Sequence, residues 1–272
     1  MAITTAAHLT FAFGILGNIV SFMVYLAPLP TFYRIFRKKS TEGFQAIPYS
    51  VALFSAMLLL YYAFLKPTNG TMLITINSIG CSIETIYLVM FMIYAPKTGK
   101  IYTGKLLVLF NIGAFGLIVL TTFMFLDGSK RVSVVGWICA VFSVSVFAAP
   151  LSIMRLVIKT KSVEFMPFTL SLFLTFCAIM WFFYGLLIKD YYIALPNILG
   201  FTFGILQMIL FVIYKDAKKG EILKEFNLEK LENGVHETQV IQVIPPETNG
   251  EDVTRNARVN EPASEVIVHV IV

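Results

Sequence analysis

The sequence predicts an all-α membrane protein: seven transmembrane helices forming two parallel three-helix bundles joined by a linker helix. Three observations carry that expectation. The chain of 272 residues is 57% hydrophobic and 14% charged, with a mean hydropathy of +0.79, outside the range of ordinary soluble domains. Seven apolar segments, roughly 8–30, 45–65, 71–95, 105–126, 132–154, 167–188 and 192–214, meet the length of about 20 residues that a hydrocarbon core of about 30 Å demands. The first three are copied in the last three.

The copy is legible residue by residue. Gly14, Ser21, Val24, Ala27, Pro28 and Leu29 recur as Gly136, Ser143, Val146, Ala149, Pro150 and Leu151, 122 positions later. Lys39-Ser40-Thr41-Glu42 answers Lys161-Ser162-Val163-Glu164, Pro48 answers Pro167, Tyr62 answers Tyr184, and Asn77-Ser78-Ile79-Gly80 answers Asn197-Ile198-Leu199-Gly200. Such duplication marks carriers whose solute sits between two similar halves. The expected organisation is a first triplet over 1–100, a linker helix over 101–130, a second triplet over 131–214 and a tail over 215–272. A single linker span lets the second triplet insert in the same sense as the first.

Charge orients the chain. Arg34, Arg37, Lys38 and Lys39 follow span 1; Lys97, Lys100 and Lys105 follow span 3; Arg155, Lys159 and Lys161 follow span 5; Lys215, Lys218 and Lys219 follow span 7. The alternate connections hold only Lys66, then Lys130 with Arg131, then Lys189. The positive-inside rule then puts the N-terminus outside and the C-terminus in the cytosol. Residues 1–214 carry a net +9 and residues 215–272 a net −4, so the basic core suits a membrane face and calls for no nucleic acid. The first span lacks a basic n-region and holds part of the repeat, so it is expected to be retained rather than cleaved. Asn69-Gly70-Thr71 is a glycosylation sequon in a very short outer loop. Cys81, Cys139 and Cys177 have no metal-like spacing and are expected as free thiols.

Along the spans, polar groups ask for an explanation because hydrocarbon penalises them. Span 1 contributes Ser21, with Val24 as a small apolar wall, and ends at Pro28. Span 2 begins at Pro48, carries Ser55 and Leu59, and ends at Tyr62. Span 3 carries Asn77, whose unpaired amide would cost about 4–8 kcal/mol in a fully apolar medium. Span 5 repeats the pattern of span 1 with Ser143, Val146 and Pro150. Span 6 begins at Pro167, carries Cys177 and Trp181, and ends at Tyr184. Span 7 follows Asp190 and carries Asn197. One membrane asparagine usually bonds a neighbouring helix; two at matching positions point to a shared axis and a polyol between them. Trp181 offers a flat apolar platform. Four prolines at matching cytosolic helix ends read as a gate of bending helices, and Tyr62, Tyr184 and Asp190 as a latch at the outer mouth. From Lys215 to Glu232 a short amphipathic helix is expected, and from Asn233 a polar, disordered tail.

Chemistry that is missing narrows the field. Glu84 is the one carboxylate well inside a span, and Gly204 stands at its matching place. The three histidines, His8, His236 and His269, are terminal. No nucleophile–base pair, phosphate loop or metal cluster is present, so neither an enzyme nor a cofactor is expected. Without a midplane set of ionisable groups, facilitated diffusion is favoured over coupled transport, with Glu84 as the group through which coupling would run.

These residues resemble the plant SWEET (MtN3/saliva) sugar transporters over about residues 8–215. The motifs that carry the likeness are Ala27-Pro28-Leu29-Pro30-Thr31-Phe32 with Lys39-Ser40-Thr41-Glu42, Thr75-Ile76-Asn77-Ser78, Ala149-Pro150-Leu151, Phe165-Met166-Pro167-Phe168 and Pro196-Asn197. SWEETs are themselves a standard example of parallel repeats. The resemblance implies bidirectional, energy-independent sugar movement by alternating access, and homo-oligomers in lipid. It further implies substrate contacts at Asn77, Asn197 and Trp181, a pocket lined by Ser21, Val24, Ser55, Ser143, Val146 and Cys177, the four prolines as a gate, and an outer gate including Tyr62 and Asp190. Within the family the chain looks most similar to the branch associated with sucrose at the plasma membrane. Leu59, the repeat partner of Trp181, departs from the tryptophan that close relatives often carry, which leaves one stacking face instead of two. The rivals are a seven-helix receptor, which has no duplicated triplets, and a PQ-loop-type carrier of another organic solute, which would need charged groups in its pocket.

Overall fold

The structure is a computed structural model that describes residues 2–66, 68–163 and 166–216. Glu164, Phe165, the remainder of the amphipathic helix expected beyond Asp216, and the tail with His236 and His269 lie outside the described residues. The helices are α1 (Ala2–Leu26), α2 (Leu29–Lys38), α3 (Ile47–Leu65), α4 (Thr71–Tyr94), α5 (Lys97–Leu106), a π-helical segment (Leu107–Ala114), α6 (Phe115–Phe125), α7 (Gly128–Val146), α8 (Ala148–Thr160), α9 (Phe168–Leu187) and α10 (Tyr191–Tyr214). Seven stretches are long and apolar enough to span a membrane, with α1–α2, α5–α6 and α7–α8 each forming one. No strand occurs among the described residues. The chain is a multi-pass, all-helical membrane protein.

Most of the basic residues that follow spans 1, 3 and 5 lie in helices. Arg34, Arg37 and Lys38 lie in α2, Lys97, Lys100 and Lys105 in α5, and Arg155 and Lys159 in α8. Hydropathy reports where hydrocarbon ends, whereas Lys and Arg are good helix formers that let the helix run on.

Burial is inverted relative to a soluble bundle. On α1, Leu16, Ile19, Phe22 and Met23 are exposed, while Gly14, Gly17 and Ser21 are buried. Small residues inside let backbones approach, and large apolar ones face lipid at no cost. Two matched contacts display the close approach. A Cβ on Gly14 would lie 2.7 Å from Met72 Cγ, and one on Gly136 would lie 2.6 Å from Tyr192 Cδ2.

The third span is the centre of each triplet. α4 packs against α1, α2 and α3, and α10 packs against α7, α8 and α9. The halves meet where α1 packs on α9 and α3 on α7. The linker lies against α3 and touches α7 through α6. Its π-helical turn holds Asn111, which accepts from Ser50 Oγ at 2.7 Å and donates through Nδ2 to Ser50 O at 3.2 Å, both residues buried. Arg131 closes the far end of the linker: its Nε donates to Thr122 O (3.1 Å) and Leu126 O (2.9 Å), and its Nη2 to Phe123 O (3.1 Å). These are the orphan carbonyls of a helix C-terminus, where a cation is doubly favourable.

Candidate functional site

α4 and α10 are both 24-residue helices, and Asn77 and Asn197 are the seventh residue of each. Each folds its amide back on the preceding turn: Asn77 Nδ2 donates to Leu73 O at 2.8 Å, and Asn197 Nδ2 to Ile193 O at 2.7 Å. One N–H of each amide is thereby used to fix the side chain. Its carbonyl oxygen and second N–H are the chemistry left for a hydroxylated ligand. Asn77 is buried and Asn197 half-buried. In α10, Pro196 precedes Asn197 inside the helix and leaves the carbonyl four residues back without its helical donor.

A second cluster joins the halves across the α1–α9 seam. Trp181 Nε1 donates to Ser21 Oγ at 2.9 Å, and Ser21 Oγ lies 3.1 Å from Cys177 Sγ. A Cβ on Gly17 would come within 3.1 Å of the indole, so the glycine admits the ring against the α1 backbone. Trp181 meets Tyr184 edge to face, centroids 5.3 Å apart. Leu59 and Cys177 pack against the same apolar cluster. The structure thus brings Trp181, Ser21 and Cys177 together. Ser55, Ser143, Val24 and Val146 are half-buried in α3, α7, α1 and α7, and among the described residues Ser55 and Ser143 make no hydrogen bond.

At the end where α4 and α10 begin, the two halves are tied by a reciprocal pair of tyrosines. Tyr62 at the end of α3 donates to Asp190 Oδ2 at 2.8 Å; Asp190 caps α10, accepting at Oδ1 from Tyr192 N (3.1 Å) and Ile193 N (3.3 Å). Lys66 pairs with the same Oδ2. Tyr184 at the end of α9 donates to Asn69 O at 2.9 Å, just ahead of α4. Each tyrosine therefore reaches from its own half to the entry of the third span in the other. Tyr62, Tyr184 and Asp190 are buried, and the Lys66 side chain is 11% exposed. A charge pair this buried holds only because its oxygens are also hydrogen-bonded. Side chains from both halves are hydrogen-bonded across this end.

Lys66 escaped the sequence reading, where it stood as a lone loop cation; its only signal was the sparsity of charge in that connection. Asn18 escaped as well: its Nδ2 donates to Gly14 O (2.9 Å) and Met72 O (3.1 Å), bonding α1 to α4. A cavity of about 370 Å³ opens above the latch, lined by Tyr62, Lys66, Asp190, Trp137 and Tyr192 among others. Asn77, Asn197 and Trp181 do not line it, and Asn197 lies seven residues below Asp190, about 10 Å along the helix. At the opposite end, Pro28 precedes α2, Pro150 lies in the first turn of α8, Pro48 is the second residue of α3, and Pro167 caps α9. Pro48 and Pro167 are exposed and Pro28 and Pro150 half-buried.

Glu84 is buried at the middle of α4, and its Oε2 has no hydrogen-bond partner. Cys81, Cys139 and Cys177 are free thiols. Among the described residues no group of His, Cys, Asp or Glu is placed to hold a metal ion.

A membrane protein of two matched triplets, hydrogen-bonded to each other at one end by groups from both, is the class this geometry defines. The family model described as "Sugar efflux transporter for intercellular exchange" matches twice, over residues 11–99 and 133–219, one match for each triplet. The chain belongs to that family, the SWEET (MtN3/saliva) transporters. It is 63% identical to the bidirectional sugar transporter NEC1 of Petunia hybrida over 219 residues, covering 80% of this chain and 82% of that one. It is 52% identical to the bidirectional sugar transporter SWEET9 of Arabidopsis thaliana over 251 residues, covering 92% and 96%. A solved structure of a eukaryotic SWEET transporter superimposes with a TM-score of 0.73 at 35% identity, covering 78% of this chain and 99% of that one. The family consists of transporters, so the chain is not an enzyme.

Proposed function

We propose that the chain carries sugar across the plasma membrane in both directions, by facilitated diffusion and alternating access, with sucrose as its principal cargo and hexoses as a second. The observation that carries this reading is the pair of matched amides, one from each half, at the same helical depth behind a latch made by both halves. In this assignment the latch end is extracellular and the proline end cytosolic. The triplets over 1–100 and 131–214 rock about the linker over 101–130. The described state is closed to the outside. Asn77 and Asn197 take sugar hydroxyls, Trp181 and Leu59 flank the ring, Ser21, Ser55, Ser143 and Cys177 line the pocket, and Val24 and Val146 set its width. Pro28, Pro48, Pro150 and Pro167 let the cytosolic helix ends bend. The exposed apolar faces suit lipid and further copies of the chain.

The test is flux of labelled sucrose and glucose in cells expressing the chain. Asn77→Ala and Asn197→Ala should each abolish uptake at unchanged surface expression; normal uptake in both would reject the site. Leu59→Trp should raise apparent affinity for sucrose more than for glucose. Collapsing the proton gradient should leave equilibrative uptake unchanged, whereas loss of an ability to concentrate sugar would assign coupling to Glu84.

A further inference from the structure

The repeated Lys-Ser-x-Glu motif is not used by the site or the latch, yet the structure gives its lysine the same unusual conformation twice. Lys39 ends α2 with φ 54° and ψ 27°, and Lys161 ends α8 with φ 53° and ψ 25°. This left-handed position after a helix belongs by preference to glycine, and any other residue there pays a steric cost. From it each ammonium reaches the last residue of the third span of its own triplet. Lys39 Nζ lies 3.2 Å from Tyr94 Oη and 5.0 Å from that ring's centroid. Lys161 Nζ lies 3.0 Å from Tyr214 Oη and 4.7 Å from its centroid. Lys39 also sits 3.9 Å over the Phe36 ring, whose repeat counterpart is Ile158, so the first clasp has one aromatic face more.

The place of these clasps gives them a consequence. Helical order breaks at Ala27–Pro28 and at Phe147, so α2 and α8 are continuous with α1 and α7 only through a turn. Beyond that turn α2 docks on α4, with Phe32 stacked on Tyr87 at 4.3 Å, and α8 docks through Met154 and Val157 on a cluster with Leu210, Phe211 and Tyr214. The lysine fastens the far end of each extension to the foot of the helix that bears Asn77 or Asn197. We propose that Lys39 and Lys161 are positioning residues that bind the helix beyond each hinge proline to the amide-bearing span, so that bending at Pro28 and Pro150 moves Asn77 and Asn197. The transport part of this inference rests on the function proposed above; the clasp itself does not.

The experiment uses the full chain in liposomes, as Lys39→Gly, Lys161→Gly, the double variant, Lys39→Arg with Lys161→Arg, and Tyr94→Leu with Tyr214→Leu. Glycine removes the clasp and also relieves the cost of the left-handed turn, whereas the Tyr→Leu pair removes the aromatic partner and leaves that turn as it is. An exposed cation–π contact corresponds to about a two- to fivefold effect. Maximal sugar flux should fall by about that factor in each glycine variant, more for Lys39 than Lys161, with the half-saturating sugar concentration unchanged, and the arginine pair should retain it. Without sugar, amide hydrogen exchange over 29–38 and 148–160 should quicken in the Tyr→Leu pair. Unchanged exchange in the Tyr→Leu pair overturns the clasp and reduces the lysines to helix caps. Exchange that quickens while maximal flux stays at the wild-type value overturns the transmission to the amides. A wild-type chain that moves no sugar overturns the function proposed above, and the exchange measurements then decide the clasp by themselves.

Discussion

The two triplets make many of the same contacts, some with identical side chains and some with different ones. Gly80 receives Tyr25 and Gly200 receives Phe147; Asn77 and Asn197 fold back on the preceding turn alike; the lysine clasps repeat. Where the copies part, only one member of each pair carries the charge or the large ring. Trp181 faces the place of Leu59, Glu84 that of Gly204, and Asp190 that of Gly70, each being the residue before its third span. The lesson is that backbone packing keeps the symmetry while charged groups and large rings are distributed unevenly. One half of the latch is a carboxylate with a buried cation, and the other is a backbone carbonyl.

That comparison breaks most visibly at Asp190. Asp190→Ala strands Lys66 in a buried site, and removing one partner of such a pair costs about 3–5 kcal/mol. Thermal unfolding in detergent should register the loss, and Lys66→Ala with Asp190→Ala should be less damaged than Asp190→Ala alone. If the double variant were the worse of the two, the lysine would not depend on this carboxylate.

Gly70 probes the matching place in the first half. A Cβ there would stand 2.5 Å from the Ala63 carbonyl oxygen, a backbone atom that cannot turn away. Gly70→Ala should therefore destabilise by about 1–3 kcal/mol, the usual range for overpacking, seen as a lower unfolding temperature. Wild-type stability would mean that the α3–α4 turn yields more easily than its packing suggests.

Tyr184→Phe removes one hydrogen bond to Asn69 O, worth about 1 kcal/mol. Tyr62→Phe should cost more, because its acceptor is the charged Asp190. Equal losses in unfolding temperature would erase the asymmetry between the two half-latches.

The smallest effect concerns the surface. A hydrogen bond from Lys38, helped by Arg34, holds the Glu42 carboxyl below its ordinary value of 4.5. Because the folded form titrates lower than the unfolded one, this contribution is complete above the ordinary value and disappears as pH falls through the lowered one. Hydrogen exchange over 29–38 should quicken slightly on acidification through that window, and Glu42→Gln should remove the pH dependence.

Much of the candidate site was legible because duplication turns single residues into pairs. Asn77 alone is an ordinary helix-packing residue; with Asn197 at the same register it marks an axis. Lys66 has no such partner, since Ile188 occupies the corresponding place, so repetition gave it no signal. Asn18 is similarly solitary against Ala140. The bond from Trp181 to Ser21 joins residues 160 positions apart on separate spans, and no local pattern encodes that distance. Hydropathy marks the membrane boundary rather than the end of hydrogen-bonded helix, so it gives no sign that α2, α5 and α8 are helical.

The amino-acid order alone determined seven spans, their duplication, the fourfold proline pattern and the matched amides, because span length and repetition are local properties of a chain in hydrocarbon. Only the tertiary structure decided that each third span is the centre of its triplet, that α1 meets α9 and α3 meets α7, and that the tyrosines cross between halves. In lipid every span is apolar on its outer face, so hydrophobicity cannot choose among neighbours. The choice falls to small residues that admit close approach and to single polar contacts, and these act only once the helices are side by side.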